Sequence, residues 1–103
     1  MRLAFTPLAE QDLEAIADYI AADNPVRALS FVRELRTQCQ RITLNPPGYR
    51  LRPELGDRIR SCAHGHHVIF FESNSDVVVI VRILHGARDI PAVFGADPEP
   101  PMR

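Results

Sequence analysis

The chain has 103 residues, with 12 Lys+Arg against 13 Asp+Glu and a formal net charge of −1, a size suited to one domain with a single modest core. So little net charge excludes a protein that coats nucleic acid by bulk electrostatics, and no apolar run reaches the roughly 20 residues of a membrane helix. The N-terminus lacks the basic and apolar segments of a secretory signal, so a cytoplasmic protein without membrane attachment is expected.

In chain order, "RLAF" reads as a short strand. Thr6 and Pro7 then supply an N-cap and a first-turn proline. Leu13, Ile16, Ala17 and Ile20 form the apolar stripe of a first helix. "DNP" at 23–25 breaks the chain and restarts it, with Asn24 as cap. A second helix carries Ala28, Val32, Leu35, Cys39 and Ile42 until "NPPG" at 45–48 stops it. The linker is so short that the two helices are expected to form an antiparallel hairpin. Residues 45–57 have a loop composition. After them "RIRSCA" at 58–63, "HVIFF" at 67–71 and "VVVIVRIL" at 77–84 are β-branched and aromatic, with tight connections at Gly65 and at "SNSD". The expectation is an α+β fold, with an N-terminal strand and an antiparallel helical hairpin packed on a small antiparallel β-sheet. It forms one domain over 1–94, followed by a loose, proline-rich tail over 95–103.

Both alternating sets of the last two strands are apolar. Val77, Val79, Val81 and Ile83 fall on one face, Val78, Ile80 and Leu84 on the other, and Ile69 and Phe71 oppose Val68 and Phe70. Two helices cover only one face of such a sheet. The second face is therefore a partner or dimer surface, or else the linker and tail fold over it.

Three constellations could carry chemistry. Cys62, His64, His66 and His67 offer zinc-type donors, but a turn at Gly65 breaks the alternation that would converge them, so no metal is expected. The two cysteines, Cys39 and Cys62, are too few for a disulfide framework, and reduced thiols follow. Glu54 and His85 could serve as base and acid in metal-free ribonuclease chemistry, with Arg60 and Arg82 on the phosphate; the competing reading is of surface charges in ordinary pairs. Finally, "VRILHGARDIPAVF" at 81–94 ends a strand in a polar cluster. It is expected to pack Phe94 onto the fold and present Arg88 at the strand end. Every Lys or Arg is arginine, so no lysine amine is available for catalysis.

The layout resembles the ParE branch of the RelE/ParE toxin superfamily of bacterial toxin–antitoxin modules. The likeness runs from about residue 3 to 94 through "LAEQDLEAIADYIAADNP", "NPPGYRLRPELGDRIRSCAHGHHVIFF" and "VRILHGARDIPAVF". The resemblance implies a toxin that binds and poisons DNA gyrase, needs no cofactor and is not itself an enzyme. It also implies a cognate ParD-like antitoxin that wraps it, with operator DNA reached only through that antitoxin. RelE-like relatives instead cut messenger RNA, using basic residues, often lysines, and commonly a late tyrosine. This chain has no lysine and no tyrosine after Tyr49. Under that alternative Glu54, Arg60, Arg82 and His85 would be catalytic. A third alternative is a non-toxic binding module that serves as co-repressor with its antitoxin. On the ParE reading, Arg50, Arg52, Arg60, Arg82 and Arg88 are expected to face the target, and Val68, Phe70, Val78 and Ile80 the antitoxin.

Overall fold

The computed structural model describes residues 1–95; the tail expected over 95–103 lies outside these residues apart from Gly95. Five strands, β1 (Arg2–Phe5), β2 (Arg50–Leu51), β3 (Arg60–His64), β4 (His67–Ser73) and β5 (Val77–His85), form one sheet in the order β1-β5-β4-β3-β2. The meander β3-β4-β5 is antiparallel, as its tight turns require. Gly65 makes the first reversal at φ +60°, a conformation that side chains with a Cβ rarely adopt. In the second, the Asn74 side chain accepts the backbone N–H groups of Asp76 (2.8 Å) and Val77 (3.0 Å).

The sheet is mixed rather than purely antiparallel, because β1 pairs in parallel with β5 from Arg2↔Val77 to Phe5↔Ile80. Two segments so remote in sequence share no turn from which the pairing could be read. The two-residue β2 lies in what composition marks as loop and pairs with β3 at Arg50↔Ser61.

Helix α1 (Pro7–Ala21) starts where Thr6 accepts the Ala9 N–H at 3.0 Å. The same hydroxyl donates to the Val81 carbonyl at 2.8 Å, which pins the helix start to β5. Helix α2 (Pro25–Ile42) starts where Asn24 accepts the Arg27 N–H at 3.0 Å. The hairpin covers one face of the sheet. Ala9, Leu13, Phe31, Leu35, Cys39 and Ile42 pack there on Ile69, Phe71, Val78, Ile80 and Ile83. Phe31, absent from the stripe read for α2, is buried, whereas Val32 is only partly so.

A β-bulge corrects the assignment of faces. The register passes from Phe71↔Ile80 to Phe70↔Arg82, which leaves Val81 without a partner on β4. One extra residue reverses the alternation. Ile83 therefore joins Val78 and Ile80 under the helices instead of sharing a face with Val77, Val79 and Val81, while Leu84 packs with Phe70 on the far side.

That far side is covered by the chain itself around Phe70 and Leu84, while Val77 and Val79 stay half-buried outside the cover. Ile59, Phe70, Leu84 and Ile90 form a second buried cluster, edged by Leu55, Val68, Val81, Val93 and Phe94. The lid consists of the segment before β3 and helix α3 (Ile90–Gly95), whose Phe94 ring meets Phe70 edge-on at 5.1 Å. Of the two outcomes open for this face, a partner surface or internal cover, the structure takes the second. An exposed sheet face therefore supplies no argument for a partner.

The core leaves both thiols inert. Cys39 is fully buried, and desolvation, with the nearby Cys62 adding to it, pushes its thiol up to about 12. Burial also raises the Cys62 thiol, whose sulfur accepts a hydrogen bond from Gln38 at 3.2 Å. At pH 8 an alkylating reagent is expected to leave both native thiols unlabelled on a timescale that fully labels the urea-unfolded chain. Rapid native labelling, followed by mass spectrometry, would contradict this packing.

Candidate functional site

The polar cluster after β5 is built on a sharp exit from the sheet. Gly86 donates its N–H to the His66 carbonyl at 2.7 Å, and a Cβ on Gly86 would stand 3.3 Å from that oxygen, a tight approach that a side chain would crowd. Arg88 donates its N–H to the His85 carbonyl at 3.1 Å, which turns the chain. Asp89 then starts α3, its carbonyl accepting from Val93 (3.1 Å) and its carboxylate from Ala92 (3.4 Å). Anchored by Ile90 and Phe94, this segment leaves Arg88 exposed, with no side-chain hydrogen bond among the residues described.

All four histidines gather beside this exit. His64, His67 and His85 stand in one row across β3, β4 and β5, and Gly65 turns His66 over toward His85, the rings stacked at 6.1 Å. His67 lies 5.2 Å from His85 and 5.4 Å from Phe31 between ring centroids. Its Nδ1 is buried and has no hydrogen-bond partner among the residues described. Burial first, and then His85, His66 and His64, hold His67 below the usual histidine range, which favours its neutral form. Next to this row opens a cleft of about 700 Å³. Its walls include Ala15, Ile16 and Ile20 of α1, Phe31 of α2 and Ile83 and Leu84 of β5; Arg27, His66, His85 and Arg88 are also part of the lining.

The zinc-type group is not brought together. Cys62 faces Gln38, His64 lies 3.4 Å from Glu34, and His66 and His67 line the cleft. Among the residues described, no three His, Cys, Asp or Glu side chains converge with metal-holding geometry.

The ribonuclease group is also dispersed. Arg60 stands in the row of Phe71 and Ile80, whereas His85 stands five residues further along β5, roughly 15 Å at the rise of a strand. Arg60 donates to the Tyr49 carbonyl at 2.8 Å. Glu54 is held by Arg52 at 2.7 Å, and that bond keeps its carboxyl below the usual range, which weakens it as a base. Arg82 is spent on Asp12. Its Nε and Nη2 donate to the two carboxylate oxygens at 2.8 and 2.9 Å, and the Ile83 N–H adds a third bond at 2.9 Å.

The five arginines expected to face a target therefore differ. Arg52 is paired with Glu54, reaches Ser61 at 3.3 Å and stacks over Phe70; Arg60 and Arg82 are engaged as above. Arg50 and Arg88 have side chains without hydrogen bonds among the residues described, and both are exposed. Of the four apolar residues expected to meet an antitoxin, Val68 is half-buried, and Phe70, Val78 and Ile80 have no accessible surface in the single chain. Val78 and Ile80 moreover lie on the helix side, for the reason the bulge gives. Asp12 was not singled out. Its signal was its place in the stripe Ala9, Asp12, Leu13, Ile16, Ile20, where an acid needs a buried partner.

Comparison with known proteins agrees with this fold. A family model described as "ParE toxin of type II toxin-antitoxin system, parDE" matches residues 3–90. A solved structure described as "Chromosomal ParDE TA system from P. aeruginosa" is similar with a TM-score of 0.69 and 25% identity, covering 82% of this chain and 95% of that one. No curated protein matches. No helix among the residues described is long and apolar enough to cross a membrane. With a family match over nearly all of the described residues, an α+β architecture in common and a ParDE structure as neighbour, the chain belongs to the ParE toxin family of type II toxin–antitoxin systems.

Proposed function

We propose that the chain is a cytoplasmic, non-enzymatic toxin that binds DNA gyrase, stalls its cleavage and religation cycle, and is neutralised by a ParD-like antitoxin. The observation that carries the binding reading over RNA cleavage is the dispersal of Glu54, Arg60, Arg82 and His85, each with its own partner or place in the sheet. General acid–base chemistry needs two such groups within reach of one phosphate. Two of the arginines stay available among the residues described. Arg88 at the end of β5 and Arg50 at the β2 edge each present a guanidinium, and its planar fork suits carboxylate or phosphate.

Arg88→Ala is expected to reduce toxicity at least tenfold without changing thermal stability, because its side chain is exposed and makes no hydrogen bond among the residues described. Arg50→Ala tests the other free guanidinium in the same way. The readout is brief expression without antitoxin, scored for gyrase-linked double-strand breaks, for cleaved transcripts, or for neither. Breaks that disappear with Arg88→Ala support the proposal. Cleaved transcripts would replace it with a ribonuclease, and neither lesion would leave a binding module that acts only with its antitoxin.

A further inference from the structure

β1 ends the strand order, with β5 on one side and no strand of the described residues on the other. Arg2 and Thr6 turn their backbone N–H groups inward, to the Asp76 and Ile80 carbonyls at 2.9 and 3.0 Å. By the alternation of a parallel ladder Ala4 also faces β5, whereas Leu3 and Phe5 turn their N–H and C=O groups to the open edge. Neither of these two backbone positions has a partner among the residues described. Such an edge is a template for another strand, and proteins commonly blunt it with proline, a bulge or charges along its length. β1 pairs with β5 in unbroken register, holds no proline and carries a single charge, Arg2, at its start. The opposite edge differs, since β2 spans only Arg50–Leu51 and Pro53 follows it.

The side chains at this edge are apolar on both faces. On the helix side Leu3 and Phe5 are only half-buried, and the Arg36 guanidinium over the Phe5 ring is already paired with Glu10 at 3.2 Å. On the far side Ala4 is exposed and stands beside half-buried Val79. This pattern is its own complement. About a two-fold axis through Ala4, antiparallel pairing sets Leu3 opposite the partner's Phe5 and Phe5 opposite the partner's Leu3. Both pairs bring outward backbone groups face to face, so each exchanges both of its N–H···O=C bonds, and each adds an apolar cross-strand contact on the helix side. Ala4 meets the partner's Ala4 at the closest spacing of an antiparallel ladder, about 4.5 Å between Cα atoms, which a methyl group tolerates. Arg2 falls opposite the partner's Thr6, so the register sets no like charges against each other.

We propose that the chain associates with a second copy of itself through β1, antiparallel about Ala4, which joins the two sheets into one. The proposal stands on the edge strand and not on the toxin reading. In the pair the two β5 strands run in opposite directions. Ala4 is level with Val79, and His85 lies roughly 20 Å further along β5 at the rise of a strand. The two Arg88 ends therefore point away from each other, and both stay free. A strand of four residues is short beside the roughly 20–30 residues a side of a standard interface, so the dimer is reversible, with a dissociation constant on the order of 10–100 µM.

The test is sedimentation equilibrium of the full chain from roughly 5 to roughly 500 µM, over which the mean mass is expected to rise from that of one chain toward that of two. Ala4→Lys, at an exposed position, sets two ammonium groups opposite each other and is expected to weaken association at least tenfold with an unchanged circular dichroism melt. Ala4→Cys is expected to give a disulfide-linked pair on mild oxidation with diamide, because the spacing across the axis suits an S–S bridge. The wild-type chain, whose thiols are both buried, is expected to give none. A mass of one chain at every concentration overturns the proposal. So does a dimer that Ala4→Lys leaves intact or that Ala4→Cys does not cross-link, since association then uses another surface. If the wild-type chain stays monomeric and the antitoxin polypeptide encoded beside its gene slows hydrogen exchange at the Leu3 and Phe5 amides, the edge takes a foreign strand and the proposal falls.

Discussion

Asp12→Ala is expected to lower the unfolding free energy by roughly 2–4 kcal/mol. The substitution removes three hydrogen bonds at once, two from the Arg82 guanidinium and one from the Ile83 N–H. It leaves a cation whose side chain is only 19% exposed without its partner, itself 12% exposed. Partial solvent access places the cost below that of a fully buried pair. Asp12→Asn, which retains an acceptor for Ile83 but not the charge, is expected to fall between the two. Arg82→Ala should cost about as much as Asp12→Ala, and the double variant less than the sum, because the pair acts as a unit. Urea denaturation measures this as a shift in midpoint. A loss below about 0.5 kcal/mol, the size of an ordinary surface substitution, would show that the pair does not clamp α1 to β5. The clamp matters for function because it sits at the bulge, and the bulge sets the direction in which β5 delivers His85 and Arg88.

Phe70→Ala is expected to cost about 3–5 kcal/mol, the range for emptying a buried aromatic site. Phe70 is fully buried at the centre of the second cluster, with Phe94 edge-on and the Arg52 guanidinium 5.7 Å from the ring centroid. Phe94→Ala removes the other half of that contact from a half-buried position and should cost less, about 1–3 kcal/mol. The measurement separates two roles. A residue reserved for a partner would lose antitoxin affinity and leave stability intact; a core residue does the reverse. Unchanged unfolding with lost antitoxin binding would return this face to the interface.

That contrast marks where sequence reasoning stopped. The helix starts were legible because Thr6–Pro7 and Asn24–Pro25 carry their own capping chemistry within a few residues. The hairpin turns were legible for the same reason, through Gly65 and Asn74. Two things have no local signature. The parallel pairing of β1 with β5 joins distant segments, and the bulge at Val81 is an insertion relative to a partner strand, invisible in β5 alone. The bulge then misassigned Ile83 and, with Val78 and Ile80, the face expected to meet the antitoxin. An apolar second face was read correctly as apolar. Its cover came from Leu55, Ile59, Ile90, Val93 and Phe94, and of these Phe94 had been named as packing back onto the fold.

At the site, the sequence expected Arg88 to be presented at the strand end, and its side chain is exposed there. It missed that Arg82 is committed to Asp12, because their pairing spans 70 residues. It also scattered the histidines between two constellations, although the antiparallel register places His64, His67 and His85 in one row. With the exposed sheet face removed as an argument, the antitoxin partner rests on family membership.

The most direct test of the account is a supercoiling and DNA-cleavage reaction with purified gyrase, ATP, closed-circular DNA and the purified chain, run beside a messenger-RNA cleavage reaction on translating ribosomes. The account predicts accumulation of linear DNA that requires both gyrase and the toxin and falls at least tenfold with Arg88→Ala, while the RNA stays intact. Cleaved RNA with gyrase turnover unaffected would contradict it.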